Sequence, residues 1–592
     1  MTILRQNITR RCLLMLVSGV VLVTSYGLGQ VSVIPAPQEL TLANADAPFV
    51  LDSSTRLVWR SQPADAHYVA DFLSRLLAMP AAVPAGHGNE HDVILLDFGP
   101  DNWPQYLRTS SSPEAYVLHV DAQRIQIQAK TAHGAFNAAQ TLRQILPATI
   151  EDCVPPAHQQ LQQLSRDSPT KTRCYDRLEV PALTIRDAPR YAWRGLLVDT
   201  SRHFFNVDEL KKFLELMALH KFNTFHWHLT DDQGWRIEIK KYPRLAERGA
   251  WREESPMRSN PKRGDRVRYG GYYTQDQIRD IVAYAAARFI NVVPEIEIPG
   301  HSAAALASYP EFGNTDVPGY APAVATRWGG GTDNIFAPKE TTFAFLENVL
   351  TEVMELFPSR YIHIGGDEVD AEVWGKSAAA QAFLAQQHFD SCEQIQGYFT
   401  RHIAEFLAAH GRTPVGWDEV LESKAPSTTA IMVWRTTAEE EIPPSPGVWE
   451  NLMPALKSGH DVILVPDSHF YLDDEEIKSN ATGDPGHDRW FTPLSHVYFF
   501  DPPVELLSAA EQEHILGMEG ALWSEYIWDY NKLEYMAFPR ASAISEVAWS
   551  ARDHRNFADF EKRLRSLELH LDKLGVNYRR STADVGLHGI PD

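Results

Sequence analysis

The chain has 592 residues, 44% of them hydrophobic and 22% charged, which is ordinary for a globular protein with a sizeable core. That length predicts two to four domains, or one large barrel with a smaller partner. A formal net charge of −22 repels phosphate backbones and argues against a nucleic-acid partner.

At the N-terminus, Arg5, Arg10 and Arg11 precede an almost wholly apolar run from Leu13 to Val23. The run is short for a bilayer span, and Gly27 and Gly29 offer small residues for cleavage. Residues 1–29 therefore read as a signal peptide. This predicts a protein exported to the periplasm or the medium, with no stable membrane insertion after cleavage. Of the four cysteines, Cys12 leaves with the signal. Cys153 and Cys174 bracket a polar stretch and could pair in an oxidising compartment. Cys392 is left over and is expected to be buried in a helix.

Residues 30–180 read as a smaller α+β domain ending in a linker from about residue 150. Its strand candidates are Arg56–Trp59, Asp92–Leu96, Tyr116–Val120 and Arg124–Ala129, and the runs Asp65–Met79 and Gly134–Leu146 have helical spacing. From Tyr191 the rhythm becomes strand, loop, helix. The strand candidates are Trp193–Asp199, Phe222–Leu229, Ile290–Ile296, Tyr361–Ile364, Thr413–Trp417, Ile431–Trp434, Val462–Pro466 and Met518–Trp523. Amphipathic runs between them include Val207–His220, Gln275–Phe289, Thr341–Phe357 and Glu393–His410. The fold class predicted is α/β, a (β/α)8 TIM barrel over residues 188–575, with residues 576–592 as a tail. A terminal amphipathic helix is expected at 552–574. Such a barrel carries its site where the C-terminal ends of the strands meet the following loops.

Those ends carry the polar and aromatic outliers. Asp199 to His203 follow the first strand, and Asp231 and Asp232 the second. Glu295-Ile296-Glu297 leads to Pro299-Gly300-His301 after the third. After the fourth, Gly365-Gly366 lets the backbone turn sharply into the adjacent carboxylates Asp367 and Glu368. Acid/base chemistry needs two carboxyl groups in unlike environments, which a turn can aim into one cleft. The fifth and sixth strands end in Trp417 and Trp434, the seventh leads to Tyr471 and Asp473, and the eighth to Trp523 and Glu525.

This set, with His226-Trp227-His228, Arg194-Gly195 and Ala132-His133-Gly134-Ala135, resembles the family 20 glycoside hydrolases, the exo-β-N-acetylhexosaminidases. The resemblance implies a retaining enzyme with no cofactor and no metal, acting on a terminal non-reducing β-linked N-acetylhexosamine (GlcNAc or GalNAc) of a small-molecule or oligosaccharide substrate. Family 20 departs from the two-carboxylate scheme because the substrate's own acetamido oxygen attacks C1 and forms an oxazolinium. Carried over by position, Glu368 is the acid/base. Asp367 accepts the acetamido N–H, and Tyr471 donates to the attacking carbonyl oxygen. Asp231 and His301 form a pair leading to Glu368. Trp417, Trp434 and Trp523 box the acetamido group, while Arg202, Asp473 and Glu525 read the sugar hydroxyls. His226, His228 and His363 read as packed core histidines. One rival reading is a metal-dependent hydrolase on the same fold, with His226 and His228 as ligands completed by His301, His363 and Asp231. A second is a non-catalytic amino-sugar-binding protein.

Overall fold

A computed structural model of the chain describes residues 31–580, apart from 44–45, 62, 86–90, 154–173, 258–259, 330–332, 436–450, 477–485, 503 and 505–506. The proposed signal peptide lies outside the described residues.

A seven-stranded mixed sheet comes first. Its order is Glu39–Leu42, Leu183–Asp187, Tyr116–Val120, Arg124–Ala129, Val93–Asp97, Arg56–Arg60 and Val83–Pro84. Arg124–Ala129 alternates half-buried and buried side chains, as a one-sided strand should, whereas Val93–Asp97 is buried throughout. The strand Leu183–Asp187 sits inside this sheet, so the sheet runs past residue 180. Cys153 and Cys174 are joined in a disulfide, with Cα atoms 5.2 Å apart. Cys392 is only half-buried, because it precedes the helix Glu393–Ala409 instead of lying within it.

Eight parallel strands then close a barrel. They are Trp193–Asp199, Thr224–His228, Asn291–Glu295, Tyr361–His363, Thr413–Trp417, Ala430–Val433, Val462–Leu464 and Ile515–Leu522. The last pairs with the first from Trp193 opposite Gly517 to Val198 opposite Leu522, and this closes the ring. The outer helices start where their sequences carry caps. Asn206 and Glu209 form a capping box on Val207–Leu219, and Thr274 and Gln277 do so on Gln275–Ala286. The terminal helix is Phe557–Lys573. Among the described residues no helix is long and apolar enough to cross a membrane.

The helix Ala132–Ile145 ties the sheet to the barrel. Its Arg143 bonds Glu151 at 2.7 Å and Glu215 at 3.0 Å, and Gln144 donates to the Leu219 carbonyl at 3.0 Å. On the same side, Arg194 of the first barrel strand donates twice to Glu114, at 3.1 and 2.5 Å. Glu114 also accepts from Asn137 at 2.9 Å and faces His133 at 3.2 Å. Arg194 and His133, both motif positions, are therefore ties between the two parts of the chain.

Candidate active site

The turn after Tyr361–His363 decides the geometry. Gly365 and Gly366 take φ of +65° and +99°. A Cβ on Gly365 would stand 1.8 Å from the Glu297 carboxylate, so glycine is required both for conformation and for close approach. Glu368 itself takes φ +47°, and His301, on the neighbouring loop, φ +43°. Non-glycine residues held in the left-handed region cost of order 1–3 kcal/mol each and persist only where surrounding structure enforces them.

Those two strained residues face each other. His301 Nε2 lies 3.5 Å from Glu368 Oε2 and 3.4 Å from Asp367 Oδ2. Its Nδ1 is 3.4 Å from Asp231 Oδ1 and 3.1 Å from Asp232 Oδ2. Burial works against a charged imidazole, but Asp231 and Asp367 outweigh it and hold the His301 pKa well above its ordinary value. The His301 hydrogen bond is the main reason the Glu368 carboxyl sits below its usual range. The Glu368 side chain is 60% exposed, whereas that of Asp367 is 16% exposed. Asp367 Oδ1 is buried with no hydrogen-bond partner among the described residues. Buried carboxylate oxygens are normally satisfied, so an acceptor aimed into a cleft is a recognition feature.

Aromatic rings wall the cleft. Trp417 and Trp523 lie 5.7 Å apart between centroids, Tyr471 and Trp523 6.0 Å, and Trp434 stacks on Tyr471 at 6.0 Å with 12° between planes. All four pack in one cluster. Trp417 of this wall donates its backbone N–H to the Gly365 carbonyl at 3.1 Å, which joins the wall to the turn that carries Asp367 and Glu368.

Arg202 lies against the Trp523 end of this wall. It pairs with Asp231 at 2.7 Å and Asp199 at 3.2 Å, faces Glu525 at 3.8 Å, and lies 5.3 Å over Trp523. Gln233 accepts from its Nε at 2.9 Å. Burial raises the Glu525 carboxyl despite this cation. Asp473 is buried two positions beyond Tyr471. Arg202, Asp231, His301, Asp367, Glu368 and Glu525 are thus linked by direct contacts, and Trp417, Trp434, Tyr471 and Trp523 by ring packing.

Beneath the cleft, the histidines are buried and packed against Trp417 and Trp523, as expected, and they also meet buried acids. His226 meets Glu519 at 2.7 Å and Glu295 at 3.2 Å, and His363 meets Glu295 at 2.7 Å. His228 bonds Glu295, and Asp231 at 3.0 Å. Desolvation opposes charge on both rings. Glu519 and Glu295 nevertheless lift His226 to about 9, and Glu295 and Asp231 lift His228 to about 10. Burial leaves His363 lowered. The residues of the metal-centred reading do not converge on one point. They fall into His226–Glu295–His363, His228–Glu295–Glu297 and Asp231–Asp232–His301, each with ligating atoms within 4.8 Å. Any of the three could geometrically hold an ion, although most of the atoms concerned already bond one another.

Sequence reasoning gave no role to Glu295, Asp232, Glu297, Glu419 or Glu519. Trp417 donates its indole N–H to Glu295 at 2.8 Å, and Trp434 donates to Glu419 at 3.0 Å. Burial, reinforced by nearby Asp367, raises Glu419 to about 9 and Glu297 well above its ordinary value. The signal available was an acid inside a buried strand: Glu519 stands amid Ile515–Leu522, where an unpaired charge is not tolerated.

Barrel, strand-end carboxylates and indole wall together define a (β/α)8 hydrolase-type site. Residues 191–552 match the model of the glycosyl hydrolase family 20 catalytic domain, and residues 30–188 match that family's domain 2. The chain belongs to glycosyl hydrolase family 20. A beta-hexosaminidase of Porphyromonas gingivalis is 34% identical over 551 residues, covering 93% of this chain and 64% of that protein. One from Vibrio furnissii is 36% identical over 448 residues, covering 74% of this chain and 66% of that protein. The chain thus spans just under two thirds of these relatives' length. A beta-N-acetylhexosaminidase of Cellulomonas fimi is 33% identical, with 93% of this chain and 96% of that one covered. Among solved structures, a Vibrio harveyi exo beta-N-acetylglucosaminidase in complex with N-acetylglucosamine superposes with TM-score 0.75. It is 31% identical, with 93% of this chain and 78% of that chain covered.

Proposed function

We propose that the chain is a retaining exo-β-N-acetylhexosaminidase that removes a terminal non-reducing N-acetylhexosamine by substrate-assisted catalysis. The observation that carries this reading is the pair Asp367 and Glu368, which share His301 beside the wall of Trp417, Trp523, Tyr471 and Trp434.

In this reading Glu368 gives its proton to the leaving glycosidic oxygen and later takes one from the water that opens the oxazolinium. A bound sugar covers the exposed Glu368 side chain, and desolvation then favours the protonated form that a general acid needs. Asp367 accepts the acetamido N–H and supports the positive charge growing on that group. The indole wall excludes water and keeps the acetamido oxygen bent towards C1, where proximity can supply roughly 7–11 kcal/mol in favourable cases. Tyr471 donates to the attacking oxygen. Arg202 and Glu525, with Asp473, bind the hydroxyls at the non-reducing end, where their charge strengthens each hydrogen bond. Two inversions at C1 retain its configuration. Residues 1–29 are the export signal in this reading, and the sheet domain is a rigid support for the barrel.

The deciding experiment compares aryl β-glycosides with and without the 2-acetamido group and follows the product anomer by proton NMR. The expected result is hydrolysis only of the N-acetylhexosaminides, releasing β-anomer first. Equal rates on plain glucosides, or an α-anomer as first product, overturn the mechanism.

A further inference from the structure

The barrel interior carries a chain of alternating charge that the reaction itself does not use. It begins at Glu519 and passes through His226, Glu295 and His228 to Asp231, with contacts of 2.7 Å, 3.2 Å, a short Glu295–His228 bond, and 3.0 Å. At its upper end Asp231 meets Arg202 and His301. Every member up to Asp231 is almost fully buried. The centres of such barrels are ordinarily filled by branched aliphatic side chains. Each buried charge is costly, so this row persists because each member is flanked by its opposite. Gly195 makes room for it, since a Cβ there would stand 2.1 Å from Glu519.

Glu295 is the hub. Besides His226 and His228, its carboxylate lies 2.7 Å from His363 Nδ1 and accepts from the Trp417 indole at 2.8 Å. One side chain therefore grips a ring of the aromatic wall and also the imidazole that braces Asp231. The Trp417 indole and the His228 imidazole are thus both fixed to one carboxylate at the end of a barrel strand.

We propose that Glu295 is a positioning residue that holds the Trp417 indole and the Asp231–His301–Glu368 arm in a fixed relation, so that the acetamido wall and the proton donor act on one sugar. This rests on the substrate-assisted reading above. A side chain that only stabilises the fold would weaken every ligand alike. A group that sets the wall's orientation affects most the species whose acetamido group is bent onto C1.

The test compares Glu295→Gln with wild type for two inhibitors, the free product GlcNAc and a GlcNAc-derived thiazoline that mimics the oxazolinium. Gln keeps the shape but replaces one acceptor by a donor facing Trp417 or the histidines. The thiazoline should bind about 10–100-fold more weakly, the usual effect of losing a partner one shell out, while GlcNAc changes less than about threefold. Equal weakening of both inhibitors, or of neither, in a folded variant overturns the proposal. Should Glu295→Gln fail to fold, replacing Trp417 by the benzothienyl analogue of tryptophan decides, because that ring keeps the size of the indole and lacks the N–H that Glu295 holds. A selective loss for the thiazoline supports the hub, and an unchanged ratio overturns it. The other arm is read in His228→Gln. His228 is faced by Glu295, Asp231, Asp199 and Glu297, with the Trp523 ring beside it. Removing this cation should move the alkaline limb of kcat/KM to higher pH, and an unmoved limb overturns the coupling. Wild type that binds the thiazoline no more tightly than GlcNAc would instead sink the substrate-assisted reading itself, so the two failures are distinguishable.

Discussion

His301 Nε2 stands 3.5 Å from Glu368 Oε2, and both residues hold left-handed backbone to do so. The two loops that carry them leave different barrel strands, so the contact is tertiary. It joins the acid at the cleft mouth to the buried acids Asp231 and Asp232. Burial and backbone strain are tolerated together because each loop fixes the other.

Replacing Glu368 by Gln removes a transferable proton and keeps the volume. Loss of a general acid typically costs about 10²–10⁴-fold. The full loss is expected for substrates with alkyl or sugar leaving groups, and a much smaller one for activated aryl leaving groups that depart as stable anions. Steady-state rates across a leaving-group series read this out. A uniform loss across the series would remove Glu368 from the proton-donor role.

Asp367→Asn replaces a carboxylate oxygen with a group that can present an N–H towards the acetamido nitrogen. Asp367 Oδ1 is the buried acceptor with no partner of its own, so the new donor would meet the ligand's donor. A drop in turnover of about 10²–10³-fold is expected, comparable to losing one electrostatic contact to a developing charge. Titration with the thiazoline should show a parallel loss of affinity. Wild-type thiazoline affinity in a folded variant would contradict this role.

His301→Asn tests the arm between the two ends. The His301 hydrogen bond is the main cause of the lowered Glu368 carboxyl, so removing it lets Glu368 keep its proton to higher pH. The alkaline limb of kcat/KM should shift upward while its plateau falls about 10–100-fold. A lower plateau with an unshifted limb would assign His301 to packing alone.

Much of this was legible from residue order. The strand Trp193–Asp199 is buried throughout and Thr413–Trp417 from its second residue, and both stand at their sequence-read limits. Asp367 and Glu368 were legible because two glycines and two acids follow a short strand. What remained hidden was pairing. Nothing near His226 in sequence points to Glu519, which lies 293 positions away, and the pair forms only because the eighth strand closes on the first. The partner of Trp417 was hidden for the same reason, since Glu295 belongs to another strand. Asp232 is the nearer acid to His301 Nδ1, and that preference depends on how the loop after the second strand folds back. Periodicity reports which face is buried; it is silent on which buried polar group answers which.

Glu114 and Arg194 connect the sheet domain to the barrel through two hydrogen bonds, and both are almost fully buried. Burial disfavours the Glu114 anion, but Arg194 and His133 outweigh it and keep its carboxyl below the ordinary range. Glu114→Ala would leave a buried guanidinium without its acid, a change worth about 3–5 kcal/mol. The midpoint of urea unfolding should fall accordingly, with kcat/KM at low temperature little altered. A midpoint equal to wild type would show that water or another acceptor replaces Glu114.

The buried imidazoles also set a pH limit on stability. His226 and His228 titrate at about 9 and about 10 in the folded chain, both above the ordinary value of about 6.5 for an unfolded histidine. The folded state therefore binds these protons more tightly than the unfolded state does. Their contribution is complete below about pH 6.5, and it disappears as pH rises through the folded values. Deprotonation leaves Glu295, held well below its ordinary pKa by His363, His228 and His226 against the effect of burial, with little to offset its charge. The melting temperature should thus fall steeply from about pH 7 to about pH 9 and more gently on to about pH 10, and the fall should be shallower in His228→Gln, which has lost one of the two titrating groups. Scanning calorimetry across that range measures both. Equal slopes in the two proteins would mean that the protonated His228 contributes nothing to the folded barrel.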